Sequence, residues 1–169
     1  MEKNKKNTLI IATMFCCGKT YLYKHNNTKY TMIDLDEELE TKRENGKIQY
    51  LTNKNYIPKI QDLVGIYDFI LVSVKPYVLG GLEREKIPYV LVYPEQTREC
   101  YLEWERRNEE RGTDFLWKAC KYHWNYLLKR LQKDPYAIKH YHLSENKYLS
   151  DIIDQIYSDQ NKDKGDETC

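Results

Sequence analysis

Three consecutive residues, Gly18-Lys19-Thr20, stand where an apolar segment, TLIIAT, passes through MFCC into YLYKH. In a strand, loop and helix start of this kind, backbone N–H groups converge on phosphate oxygens, the lysine reaches the β and γ groups, and the threonine hydroxyl ligates Mg²⁺. The full pattern is G-x-x-x-x-G-K-[ST]; Thr13 occupies the place of its first glycine, so the G-K-T half alone matches. A β-branched residue adopts the dihedrals of such a glycine only with strain, which makes weakened nucleotide binding one expectation. Cys16 and Cys17 lie inside the loop. They read either as thiols whose pKa is lowered beside a helix start or as small side chains filling a tight turn. The plainer alternative for the tripeptide is that Gly18 turns the chain and Lys19 and Thr20 begin an ordinary helix.

Ligands in an open parallel sheet lie beyond the carboxyl ends of the strands, so the residues there carry the next candidates. After the second apolar run comes IDLDEE, in which Asp34 and Asp36 share a side if the backbone stays extended. One of them can accept a substrate hydroxyl proton or organise Mg²⁺ and its waters, with Asp36 preferred because it is nearer the loop; a charged turn capping the next helix is the other reading. The run YDFILVSVK ends in Ser73 and Lys75, where a carboxylate holding water on Mg²⁺ is common. Asp68 lies at the wrong end of that run, so Ser73 is read as a replacement. Further on, Arg98, Arg106, Arg107 and Arg111 precede Gly112, a natural helix stop. Glu103, Arg107 and Arg111 fall at i, i+4 and i+8, which fits a solvated salt-bridge ladder or a lid whose planar guanidiniums neutralise a phosphoryl group. His25, His123, His140 and His142 show no metal-ligand spacing and are read as structural.

The elements that must hold these residues follow from apolar patterning. With 169 residues and 20.4 kDa the chain fits one domain. Near-continuous apolar runs at 9–12, 32–35, 69–74 and 89–93, with a fifth at 138–143, read as strands covered on both faces and separated by crossover helices. This predicts an α/β fold with a mainly parallel sheet. Helices are expected over 115–131 and from Leu149 onward, the latter capped by Ser144 or Asn146. A domain over residues 8–157 is expected, with disordered tails at 1–7 and 159–169. Lys and Arg total 27 against 26 Asp and Glu, a net +1, so stable nucleic-acid binding and membrane attraction are not expected and any anion site must be local. No apolar run approaches the ~20 residues that span a bilayer, and no signal peptide is apparent, which suggests a soluble, cytoplasmic protein. Five cysteines, two of them adjacent and none in a C-x-x-C pair, argue against a disulfide framework or structural zinc. Most of the 16 tyrosines are expected to pack partly buried with their hydroxyls reaching water.

Taken in order, the strand with GKT, IDLDEE, TNKNYIPKI, FILVS, LVYP, E-W-x-x-R-x-x-x-R-G at Glu103 to Gly112, Trp124 and YLSDII resemble a family of small P-loop proteins of bacteriophages and prophages described as adenylate or nucleoside kinases. The resemblance runs from about Thr8 to Ile153. It implies a nucleoside monophosphate kinase-like fold with sheet order 2-3-1-4-5 and helices on both faces, ATP with Mg²⁺, and an arginine-bearing lid at about 95–112. Carried over on matching positions, Lys19 and Thr20 become phosphate and Mg²⁺ contacts, Asp36 the acid after strand two, and Arg107 and Arg111 lid arginines. The expected reaction is phosphoryl transfer to a nucleotide or nucleoside, with the 13–20 backbone on ATP. Asp34, Arg43, Lys54, Tyr56, Ser73 and Lys75 are placed on the acceptor side, Tyr56 stacking on a base. Two alternatives accompany this: a catalytically weak nucleotide-binding or host-interaction protein that keeps the fold, acting on a host protein or sequestering a nucleotide, and a kinase of polynucleotide 5′ ends, which the near-zero charge disfavours.

Overall fold

The computed structural model describes residues 6–40, 43–44, 47–48, 55–112 and 114–162, with side chains described for 6–38, 55–112 and 123–162. In chain order the elements are β1 Leu9–Thr13, α1 Lys19–Lys24, β2 Met32–Asp34, α2 Leu35–Glu40, β3 Arg43–Glu44, β4 Lys47–Ile48, α3 Tyr56–Leu63, β5 Phe69–Ser73, α4 Pro76–Arg84, β6 Tyr89–Pro94, α5 Arg98–Arg111, α6 Asp114–Gln132, β7 Lys139–Leu143 and α7 Leu149–Lys162. Five strands form one parallel sheet in the order β2-β5-β1-β6-β7, which is 2-3-1-4-5 when its own strands are counted. The two-residue strands β3 and β4 pair antiparallel as a separate ribbon.

Burial explains which strands the apolar runs mark most sharply. Every residue of β1 and β6 is buried, as sheet strands roofed on both faces require. The edge strand β7 instead alternates: Tyr141 and Leu143 are buried while Lys139 and His142 are exposed, and Ile138 lies outside the strand. Right-handed crossovers put α1 and α7 on one face, where they touch, and the α3–α4 and α5–α6 pairs on the other. α3 and α4 meet so closely that a Cβ on Gly81 would come within 2.4 Å of Ile57. Gly112 ends α5 in the left-handed conformation at φ 68°.

Three expectations need correction. Tyr30, Tyr56, Tyr89 and Tyr141 are buried rather than partly buried, and their hydroxyls donate to Asp154, Asp36, Asp134 and Asp159, as that of half-buried Tyr23 does to Glu38. Burial and Asp154 together push the Tyr30 hydroxyl up to about 12. The cap of α7 is neither Ser144 nor Asn146; the Asp151 carboxylate reaches back to accept from the Tyr148 N–H at 2.7 Å. Residues 6 and 159–162, placed in the expected tails, belong to the fold: Lys6 bonds the Gly65 carbonyl and Asp68, while α7 continues to Lys162 with Asp159 accepting from Lys139 and Tyr141. The remaining tail positions, residues 1–5 and 163–169, lie outside the described residues. Among the described residues no helix is long and apolar enough to cross a membrane.

Candidate functional site

The loop between β1 and α1 sits at the carboxyl end of the sheet, anchored by the Met14 N–H to the Val92 carbonyl. Two left-handed residues bend it, Cys16 at φ 62° and Gly18 at φ 89°. Its carbonyls are drawn away by donors from elsewhere: Phe15 O accepts from Trp104 Nε1 at 3.3 Å, Cys16 O from Arg107 Nη1 at 3.4 Å, and Cys17 O from the Leu149 N–H at 2.8 Å. Among the described residues, the N–H groups of Phe15 through Lys19 donate to no backbone carbonyl. A loop whose acceptors are engaged and whose donors are not favours an anion. Gly18 also lies tight against its neighbour, since a Cβ there would stand 3.1 Å from two carbons of Tyr148.

Beside this loop four charged groups converge. Lys19 Nζ donates to Asp34 Oδ1 at 2.5 Å and to Asp36 Oδ2 at 2.7 Å, and Thr20 Oγ1 donates to Asp34 Oδ2 at 3.1 Å. Lys75 Nζ lies 3.6 Å from Asp36 Oδ1. The two carboxylates meet not because the chain stays extended, since Asp36 belongs to α2, but because Lys19 draws both together. Asp34 is fully buried, and a buried carboxylate persists only with such partners. Burial alone would raise the Asp36 pKa, yet Lys19, Lys75 and the Tyr56 hydroxyl hold it below the usual carboxylate value.

Tyr56 is buried completely and presents no face to a base, against the expectation. Its hydroxyl donates to Asp36 at 3.1 Å and accepts from the Ser73 backbone, so it ties the acid to the end of β5. Burial and the neighbouring Asp36 push its pKa well above 10, which keeps it a donor. Ser73 pairs in register with Thr13 on the adjacent strand. The side chains of Arg43 and Lys54 lie outside the described residues.

The thiols behave oppositely to the lowered-pKa reading. Burial pushes Cys16 up, outweighing Arg111 and Arg107 beside it, and burial pushes Cys17 further up. Both cysteines fill the turn. The charges of α5 divide between an exposed ladder, centred on Arg106 rather than on the foreseen Glu103, Arg107 and Arg111, and an inward-facing Arg107. Arg106 bridges Glu103 and Glu110 as an exposed ladder. Arg107 turns inward, donating to Glu103, to Cys16 O and to Lys147 O, with its guanidinium 3.8 Å over the Tyr148 ring and Nη2 buried without a partner. Arg111 reaches Cys16. α5 therefore braces the loop through Trp104, Arg107, Asn108 and Arg111. Trp104, Asn108 and Tyr148 carried no sequence signal for this role, because helix periodicity tells which face is inward and not which carbonyl it meets.

Among the described residues no three His, Cys, Asp or Glu side chains form a metal-holding group. Mg²⁺ does not require one, since it is commonly held by one or two carboxylates, a hydroxyl and substrate phosphates. The Thr20 hydroxyl with Asp34 and Asp36 is a hard oxygen set of that kind. The chain matches no family model and no curated protein. Its fold is P-loop-like, with the expected strand order.

Proposed function

We propose that the chain binds a magnesium–nucleoside triphosphate, most simply ATP, on the 13–20 loop and transfers the γ-phosphoryl group to a nucleotide or nucleoside. The observation that carries this reading is the convergence of Lys19, Thr20, Asp34 and Asp36 directly after left-handed Gly18, at the carboxyl end of a parallel sheet. Thr20, Asp34 and Asp36 would hold the metal, which when bound supplies positive charge against the phosphates. Lys19 leaves its carboxylates for the phosphate oxygens. Asp36 orients the acceptor hydroxyl: that oxygen forms a bond to the γ-phosphorus, the bond to the β–γ bridging oxygen breaks, and the hydroxyl proton passes to the carboxylate. A carboxylate is a weak base, so positioning by Asp36 outweighs proton abstraction. Arg107 Nη2 and Arg111 stand beside the loop as donors toward the charge in flight.

One observation favours a second reading, a nucleotide-binding protein with little chemistry of its own: Lys19 is already engaged by two carboxylates, and Ser73 stands at the end of β5 where an acid would assist the metal. The test is release of ADP from Mg-ATP with a panel of nucleoside monophosphates, nucleosides and 5′-hydroxyl oligonucleotides, run beside Lys19→Ala and Lys19→Arg. Turnover by the natural chain that drops at least about a hundredfold in both variants supports the kinase. Saturable ATP binding with no turnover on any acceptor supports the binder, and the absence of binding overturns both.

A further inference from the structure

The described residues contain four buried side-chain polar atoms without a hydrogen-bond partner: Thr13 Oγ1, Ser73 Oγ, Arg107 Nη2 and Arg130 Nε. Their placement is not scattered. Arg107 bonds the Cys16 carbonyl and Arg130 the Val74 carbonyl, so all four residues gather at the carboxyl ends of β1 and β5. A buried polar group left unpaired is destabilising, and folded proteins rarely keep several together unless something else completes them.

Thr13 and Ser73 are the pair that matters. They are register partners on neighbouring parallel strands, so their side chains leave the sheet on the same face, with Cα atoms about 4.8 Å apart. Thr13 is only 1% exposed. The same face carries Asp34, whose register partner Leu71 lies two residues before Ser73, and Asp34 holds Lys19 and Thr20. The two hydroxyls bond neither to each other nor to any other described group. Resting on the phosphate-loop reading above, we propose that Thr13 and Ser73 form a two-pronged clamp for a single oxygen of the bound magnesium–nucleoside triphosphate, either a phosphoryl oxygen or a water carried by the metal. Threonine at the mouth of the loop, which by pattern alone looks like a lost glycine, is on this account a ligand residue, and Ser73 is its partner.

The clamp separates from a packing role because it sets stability against affinity. Thr13→Val, which keeps the shape, and Ser73→Ala should leave the free protein as stable as the natural chain or more so in urea denaturation, since each removes an unpaired buried hydroxyl. Each should weaken Mg-ATP binding measured by titration calorimetry about three- to tenfold, the loss of one hydrogen bond. The double variant should lose less than the product of the two, because both prongs hold one oxygen. Thr13→Ser keeps the hydroxyl and should keep the affinity, which covers the case of a poorly folding valine variant. A penalty that survives in EDTA identifies a phosphoryl oxygen, and one that vanishes identifies metal-bound water. If the natural chain binds Mg-ATP and both hydroxyl deletions leave the affinity unchanged, the clamp is overturned and the loop reading stands. If the natural chain does not bind Mg-ATP, both fall.

Discussion

Lys19 answers to two opposing demands. Without ligand it neutralises a fully buried Asp34 and a partly buried Asp36, yet a phosphate would take its charge from both. Its removal should therefore harm the free protein as well as binding. Lys19→Ala leaves a buried carboxylate uncompensated and should lower unfolding free energy by about 3 kcal/mol in urea, and adding Asp34→Asn should restore most of that loss. Tyr56 makes a quieter case. Tyr56→Phe keeps the ring that packs edge-on against Tyr77 and deletes the donor to Asp36 together with the acceptor for the Ser73 backbone. The Asp36 carboxyl should then titrate at higher pH, read by carbon NMR of the side-chain carboxyl, with a stability cost of about 1–2 kcal/mol. An unmoved Asp36 titration would contradict the Tyr56–Asp36 bond.

Among the elements, α5 connects charge to loop shape. Glu103 sits at its hub: hydrogen bonds from Arg106, and then from Arg107, outweigh burial and hold its carboxyl at about 2, against an ordinary 4.5. Because the folded value is depressed, the stabilisation is complete above the ordinary value and disappears as pH falls toward the folded one. Glu103→Gln should thus lower the urea midpoint at neutral pH, with the difference from the natural chain shrinking between about 4.5 and about 2. A pH-independent difference would mean that Glu103 acts by packing. How much of this was readable beforehand differs by element. Strands β1, β5 and β6 stand out because burial on both faces leaves an unbroken apolar run, whereas β7, open on one edge, starts one residue after the apolar run. Lys19 and Thr20 are legible as chemistry because a short loop fixes their spacing, and Asp34 because it closes a strand of the same sheet. The grip of α5 on Phe15 and Cys16 spans about ninety residues of chain and depends on how one helix lies over one loop, which no local pattern encodes.

For the whole molecule, near-cancelling charges mean that affinity for an anion must come from the loop and its immediate neighbours. The same loop is also a junction: β1 enters it, α1 leaves it, α5 holds two of its carbonyls and the first residue of α7 holds a third. A ligand seated there braces elements from both faces of the sheet, so its binding free energy should appear in global unfolding rather than in local ordering alone. At a free Mg-ATP concentration about a hundred times Kd, linkage gives about 2.7 kcal/mol, which for a chain of this size raises Tm by roughly 5–11 °C. Calorimetry should find one transition moving upward with the logarithm of ligand concentration, and Lys19→Arg should abolish the movement while keeping its own transition cooperative. A single-stranded oligonucleotide lacking a triphosphate should not reproduce it, since a net charge of +1 supplies no whole-molecule field to hold a polyanion. Two separating transitions in the presence of Mg-ATP would mean that the loop is not the junction that its hydrogen bonds describe.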